Sequence, residues 1–71
     1  MRINKDSLRA VRERSGYSIR QLAEASGVSR SSISDIERGV QEPSPATVRN
    51  LAQALLVPTT ALLLSDEEAV A

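Results

Sequence analysis

From Ser29 to Arg38 the chain reads Ser-Arg-Ser-Ser-Ile-Ser-Asp-Ile-Glu-Arg. Two guanidinium forks, four hydroxyls and two carboxylates fall within this stretch, interrupted by Ile33 and Ile36. Such groups donate and accept hydrogen bonds; unaided, they do not make or break covalent ones. The rest of the chain offers catalysis little help, because histidine and cysteine are absent and Lys5 is the one lysine. A nucleophile would need a carboxylate or an arginine as its base, and no such constellation is present. The chemistry on offer is recognition, and the chain is not expected to be an enzyme. Disulfides and thiolate metal sites are excluded, the usual zinc-binding imidazole is missing, and neither a metal nor a small-molecule cofactor is expected.

What this run would recognise depends on charge and shape. Nine basic and nine acidic side chains cancel over the 71 residues, so no overall attraction to nucleic acid or to an anionic membrane exists. The cancellation hides an asymmetry. Residues 1–40 carry eight cations, seven of them arginine, against Asp6, Glu13, Glu24, Asp35 and Glu37. Residues 41–71 carry Arg49 against Glu42, Asp66, Glu67 and Glu68. Arginine is the cation best shaped for phosphate and guanine. Tyr17 is the single aromatic residue, which rules out the stacked platform of a single-strand binder. Apolar runs such as 54–57 and 61–64 are too short to cross a bilayer. The first residues lack the apolar stretch of a secretion signal. A cytoplasmic location with no membrane partner is the expectation.

The elements that must position the run are helical, since apolar residues recur at three- and four-residue spacing and no stretch alternates with period two. Leu8 and Val11 begin one face, and Ile19, Leu22 and Ala23 a second. Ile33 and Ile36 make a third, and Val48, Leu51, Ala52 and Leu55 a fourth. Leu62 and Leu63 would close a short fifth. Asn4, Ser18, Ser29, Ser44 and Thr59 are residue types that cap helix N-termini well. The residues before them are Ile3, Tyr17, Val28, Pro43 and Pro58; those four places beyond are Leu8, Leu22, Ile33, Val48 and Leu63. Each start thus has the apolar pair of a hydrophobic staple. Ser18 with Gln21 adds a capping box, and Pro45 occupies its preferred first helical position. Gly16, Gly27 and Gly39 are the stops. The expected architecture is all-α: five helices at about 4–15, 18–26, 29–38, 44–56 and 59–64.

Only Gly27 and Val28, with the cap Ser29, separate the second helix from the third. That is a tight helix-turn-helix. Gly27 supplies a positive φ at no steric cost. Val28, Ile33 and Ile36 are expected to face inward, with Ala23 kept small where the helices meet. Arg30, Ser31, Ser34, Asp35 and Arg38 then face outward, with no apolar residue among them. A helix of this kind has little for a protein groove and suits the polar base edges of a DNA major groove. Arg30, at the helix start, could bond guanine O6 and N7 together, or touch phosphate alone.

The run Leu22-Ala23-Glu24-Ala25-Ser26-Gly27-Val28-Ser29, followed by Ile33-Ser34-Asp35-Ile36-Glu37-Arg38-Gly39, resembles the helix-turn-helix of the Xre/Cro-like phage repressor family. Residues 43–55 are similar to that family's fourth helix, so the resemblance covers about residues 6–64. It implies a compact five-helix lambda-repressor-like domain over 1–64. It also implies binding to double-stranded operator DNA, usually as a two-fold dimer, to regulate transcription. Ser31 and Ser34 fall at positions that reach bases or the groove edge, and water would bridge such short side chains. Asp35 would accept from a cytosine amino group or pair with Arg38 or Arg30. Ser18, the amides of Ile19 and Arg20, Ser29, Arg38, Gln41, Thr47 and Arg49 are the implied DNA-backbone contacts. Two departures matter: Ile19 replaces a frequent phosphate-holding glutamine, and Val40-Gln41-Glu42 lacks the lysines often found there. Weak non-specific affinity follows. In the family an arginine of the first helix pairs with a glutamate ending the third; Arg12 and Glu37 match, and a structural role is implied.

Residues 65–71 form an acidic tail in this reading, although Ser65-Asp66-Glu67-Glu68 also has the makeup of a further helix start. The exposed leucines near the end would form a small two-fold contact or close the core. The competing function is an antitoxin or co-regulator in which the same fold binds a protein.

Overall fold

The computed structural model describes residues 2–64; the acidic segment 65–71, with its capping-box pattern, lies outside the described residues. Helices α1 (Lys5–Arg14), α2 (Ile19–Ser26), α3 (Arg30–Glu37) and α4 (Pro45–Leu55) are followed by a 3-10 turn, Thr59–Leu62. The four helix starts are built as their cap residues dictate. Asn4 Oδ1 accepts from the amides of Asp6 and Ser7, Ser29 Oγ from Ser32, and Ser44 Oγ from Thr47. Ser18 and Gln21 exchange both bonds of a capping box. Each cap satisfies amides that would otherwise lack an intrahelical partner.

The fifth element departs from expectation. Thr59 is not a cap: Pro58 holds that position, no side chain caps the turn, and Leu63 is already extended at φ −110° and ψ 156°. A helix there would need to continue through Leu63, but Leu63 pairs with Ile3 in an isolated antiparallel bridge. The Asn4 amide donates to the Leu62 carbonyl at 2.8 Å and the Leu64 amide to the Arg2 carbonyl at 3.0 Å. Two backbone bonds to the opposite end of the domain outweigh one more turn of an uncapped helix. The described structure is therefore four α-helices plus a 3-10 turn.

A second departure ends α4. No glycine stands there, and Leu56 itself takes the left-handed conformation, at φ 59° and ψ 41°. Its amide bonds back to the carbonyls of Ala52 and Gln53, and the Val57 amide returns to Ala52 at 3.1 Å. Those bonds close the helix end despite the cost of placing a leucine where Cβ crowds the backbone.

The core joins every element. Leu8 and Val11 of α1, Leu22 of α2, Ile33 and Ile36 of α3, Leu51, Ala52 and Leu55 of α4, and Leu62 form one cluster. Ala23, Val28, Ile19 and Tyr17 pack half-buried against it. The isoleucines of α3 are fully buried, which fixes the rotation of that helix and hence which side chains it presents outside.

Candidate nucleic-acid interface

The α2–α3 connection is made by Gly27 at φ +77°, with its amide on the Ala23 carbonyl at 2.9 Å, then Val28 and the cap Ser29. The Ser26 hydroxyl accepts the Val28 amide at 3.2 Å, so the turn is held from within. With Ile33 and Ile36 turned inward, the outer surface of α3 is polar. Arg30, Ser31, Ser34, Asp35 and Arg38 line one shallow groove together with Ile19 of α2. All four residues expected to meet bases, and two of those expected to meet backbone, thus share one surface. Arg30 to Arg38 spans about 12 Å along the helix axis at the usual rise, close to the width of a DNA major groove.

The groove's electrostatics are loose. Asp35 is paired, and with Arg38 rather than Arg30: Nη1 lies 3.4 Å from Oδ1. The arginine side chain is 67% exposed and the aspartate 38%, so the pair has little energy to surrender. No ion pair within 4.0 Å holds Arg30 among the described residues. Next to the groove, Arg20, Ser29 and Arg30 surround a second hollow over the α2–α3 turn. Among the described residues, Arg20 is engaged only by an exposed contact with Glu24 at 3.7 Å.

Beneath this surface lies a different kind of charge. The Arg12 guanidinium grips the Glu37 carboxylate with two bonds, Nε to Oε2 at 2.7 Å and Nη2 to Oε1 at 3.0 Å. Its remaining nitrogen, Nη1, donates to the Tyr17 carbonyl at 2.8 Å. The two side chains retain only 10% and 8% of their exposure. The hydrogen bonds to Glu37 hold the Arg12 pKa above its ordinary value against the opposing effect of burial. Arg12 therefore ties α1, the α1–α2 turn and the end of α3 together, and Glu37 is not among the residues lining the α3 groove.

The remaining expected contacts are more scattered. Ser18 is committed to its capping box, although hydroxyl and helix N-terminus can both still face an anion. The Thr47 hydroxyl lies 3.0 Å from Ser44 Oγ within the cap of α4. Arg49 is exposed on α4, which packs chiefly on α2 and the 3-10 turn. Gln41 lies in the α3–α4 loop beside residues that sequence reasoning missed. Arg2, Lys5, Gly39, Gln41 and Glu42 border one depression between the N-terminal segment and this loop. Nothing local signals that neighbourhood, because it is created by the bridge between Ile3 and Leu63.

The helix-turn-helix family profile matches residues 8–62. The HTH-type transcriptional repressor RghR of Bacillus subtilis is 46% identical over 59 residues, which are 82% of this chain and 44% of RghR. The chain thus spans less than half the length of that curated relative. Among solved structures, the restriction-modification controller protein C.AhdI of Aeromonas hydrophila superposes with a TM-score of 0.81 at 34% identity, covering 83% of this chain and 89% of its own. The SinR protein/SinI protein complex gives 0.81 at 33% identity, covering 92% and 64%. With its core, its two-residue turn and its outward polar helix all in place, the chain belongs to the Xre-like helix-turn-helix family.

Proposed function

We propose that this chain binds double-stranded DNA sequence-specifically as a transcriptional regulator, laying α3 in the major groove of an operator. The observation that carries this reading is the groove on α3. Arg30, Ser31, Ser34 and Asp35 face one way, while the apolar residues of the same helix are wholly buried behind them. Arg30 reads guanine, and Ser31 and Ser34 reach base edges directly or through water. Asp35 exchanges Arg38 for a cytosine amino group, which frees Arg38 for phosphate. Ser18, Ile19, Arg20, Ser29 and Gln41 hold the flanking backbone through hydroxyls, side chains and helix N-terminal amides. Thr47 and Arg49 contact the strand beyond the loop. Two copies act on half-sites about one helical turn apart. That duplication offsets the modest affinity of a chain with no net charge. A repressor as relative supports the regulatory role.

The test is selection from a random duplex library followed by titration at two salt concentrations. An enriched motif with two-fold symmetry, bound more weakly at high salt, is the expected result. No enriched motif, with affinity indifferent to salt, rejects the reading. A second reading, in which the fold binds a protein partner, draws on the exposed Leu56 and Val40 and on SinR having been solved together with SinI. Val40 lies in the loop that carries Gln41, so a protein bound there would compete with DNA, whereas Leu56 at the end of α4 lines neither hollow beside α3.

A further inference from the structure

We propose that Lys5 supplies, from the start of α1, the phosphate-binding cation that the α3–α4 loop itself lacks. This rests on the DNA-binding reading above. The loop Gly39-Val40-Gln41-Glu42 contains no basic residue, yet it follows directly on the helix assigned to the major groove. The fold brings Lys5 onto it. A Cβ on Gly39 would lie 3.2 Å from Cδ, 3.3 Å from Cε and 3.8 Å from Nζ of Lys5. The lysine stem therefore lies across the glycine, and a Cβ there would push it outward by a few tenths of an ångström. Glycine is favoured at position 39 chiefly by its φ of +78°, which excludes most side chains, and a Cβ there would in addition press on the lysine stem.

The seat is fixed from both sides. Below, the Val40 and Gln41 amides both return to the Asp35 carbonyl, at 2.8 and 3.3 Å, which joins the loop to the last turn of α3. Above, the bridge between Ile3 and Leu63 holds the strand that leads into α1. Ile3 occupies a position of that bridge where its own amide points outward, and this amide donates to Glu42 Oε2 at 2.9 Å. The acid of the loop is thereby turned toward the N-terminal segment. Lys5 is exposed and makes no ion pair within 4.0 Å among the described residues. An unpaired ammonium thus stands at the C-terminal end of α3, beside Gln41, where a DNA strand bordering the major groove would pass. As a compact point charge it suits phosphate, not a base edge.

The experiment compares the full chain with Lys5→Met and Lys5→Arg on the selected duplex and on random duplex, from roughly 50 to 200 mM salt. Methionine keeps the stem over Gly39 and removes the charge; thermal unfolding checks that the fold is retained. In Lys5→Met the slope of log affinity against log salt becomes shallower by about 0.9, so the wild-type advantage shrinks about 3.5-fold across that range. The loss is equal on both duplexes, and Lys5→Arg restores the slope. A wild-type slope in Lys5→Met overturns the proposal, as does a loss confined to the selected duplex. A wild-type chain with no salt-dependent binding rejects the DNA reading itself, which separates the two failures.

Discussion

The two sides of α3 treat charge in opposite ways. At its buried end, Glu37 accepts two bonds from Arg12, and Arg12 spends its third donor on a backbone carbonyl. On its outer side, Arg30 has no ionic partner within 4.0 Å among the described residues, and Asp35 and Arg38 meet at 3.4 Å in solvent. Charges that position the helix are saturated inside the protein, where an unpaired one would be costly. Charges proposed to read DNA are left underused, because a donor already satisfied gains little by binding.

The contrast can be broken most forcefully at its buried side. Arg12→Ala or Glu37→Ala is expected to cost about 3–5 kcal/mol in urea unfolding, since each strands a desolvated charge. A loss below about 1 kcal/mol would place the pair with the surface contacts and dissolve the distinction. Arg30→Ala should do the reverse, leaving the unfolding midpoint unchanged while lowering discrimination at one base pair by about 1–3 kcal/mol. An equal loss on every sequence would make Arg30 a phosphate contact. Ser29→Ala lies between the two classes. Losing the cap costs about 1 kcal/mol of stability, and DNA binding weakens without a change of sequence preference. Smallest of all, a double-mutant cycle between Asp35 and Arg38 should return under about 1 kcal/mol. A larger coupling would mean that the recognition surface is locked before DNA arrives.

Much of this architecture was legible because its determinants are local. A cap and the amide it satisfies lie two or three residues apart, so Asn4, Ser18, Ser29 and Ser44 announce four helix starts. The spacing of Ile33 and Ile36 sets the inner face of α3, and that leaves Arg30, Ser31, Ser34 and Asp35 outside. Thr59 misled for the same reason: it is a good cap by type, but nothing within four residues reveals that Leu63 is bound to Ile3. Leu56 carries no signal either. A leucine in the left-handed region is accepted only because Ala52 and Gln53 have carbonyls to be satisfied there.

Four helices, the turn between α2 and α3, and the polar composition of the exposed helix are encoded locally. Those features depend on contacts within one or two turns of chain. Packing of the helices sets what meets across long separations. The N-terminal segment pairs beside Leu63, Glu42 turns to the Ile3 amide, and Lys5 comes to rest on Gly39. Each follows from how the helices pack around Leu22, Ile36 and Leu51, which no local pattern encodes. Such packing puts a lysine from the start of α1 beside a loop that has no cation of its own.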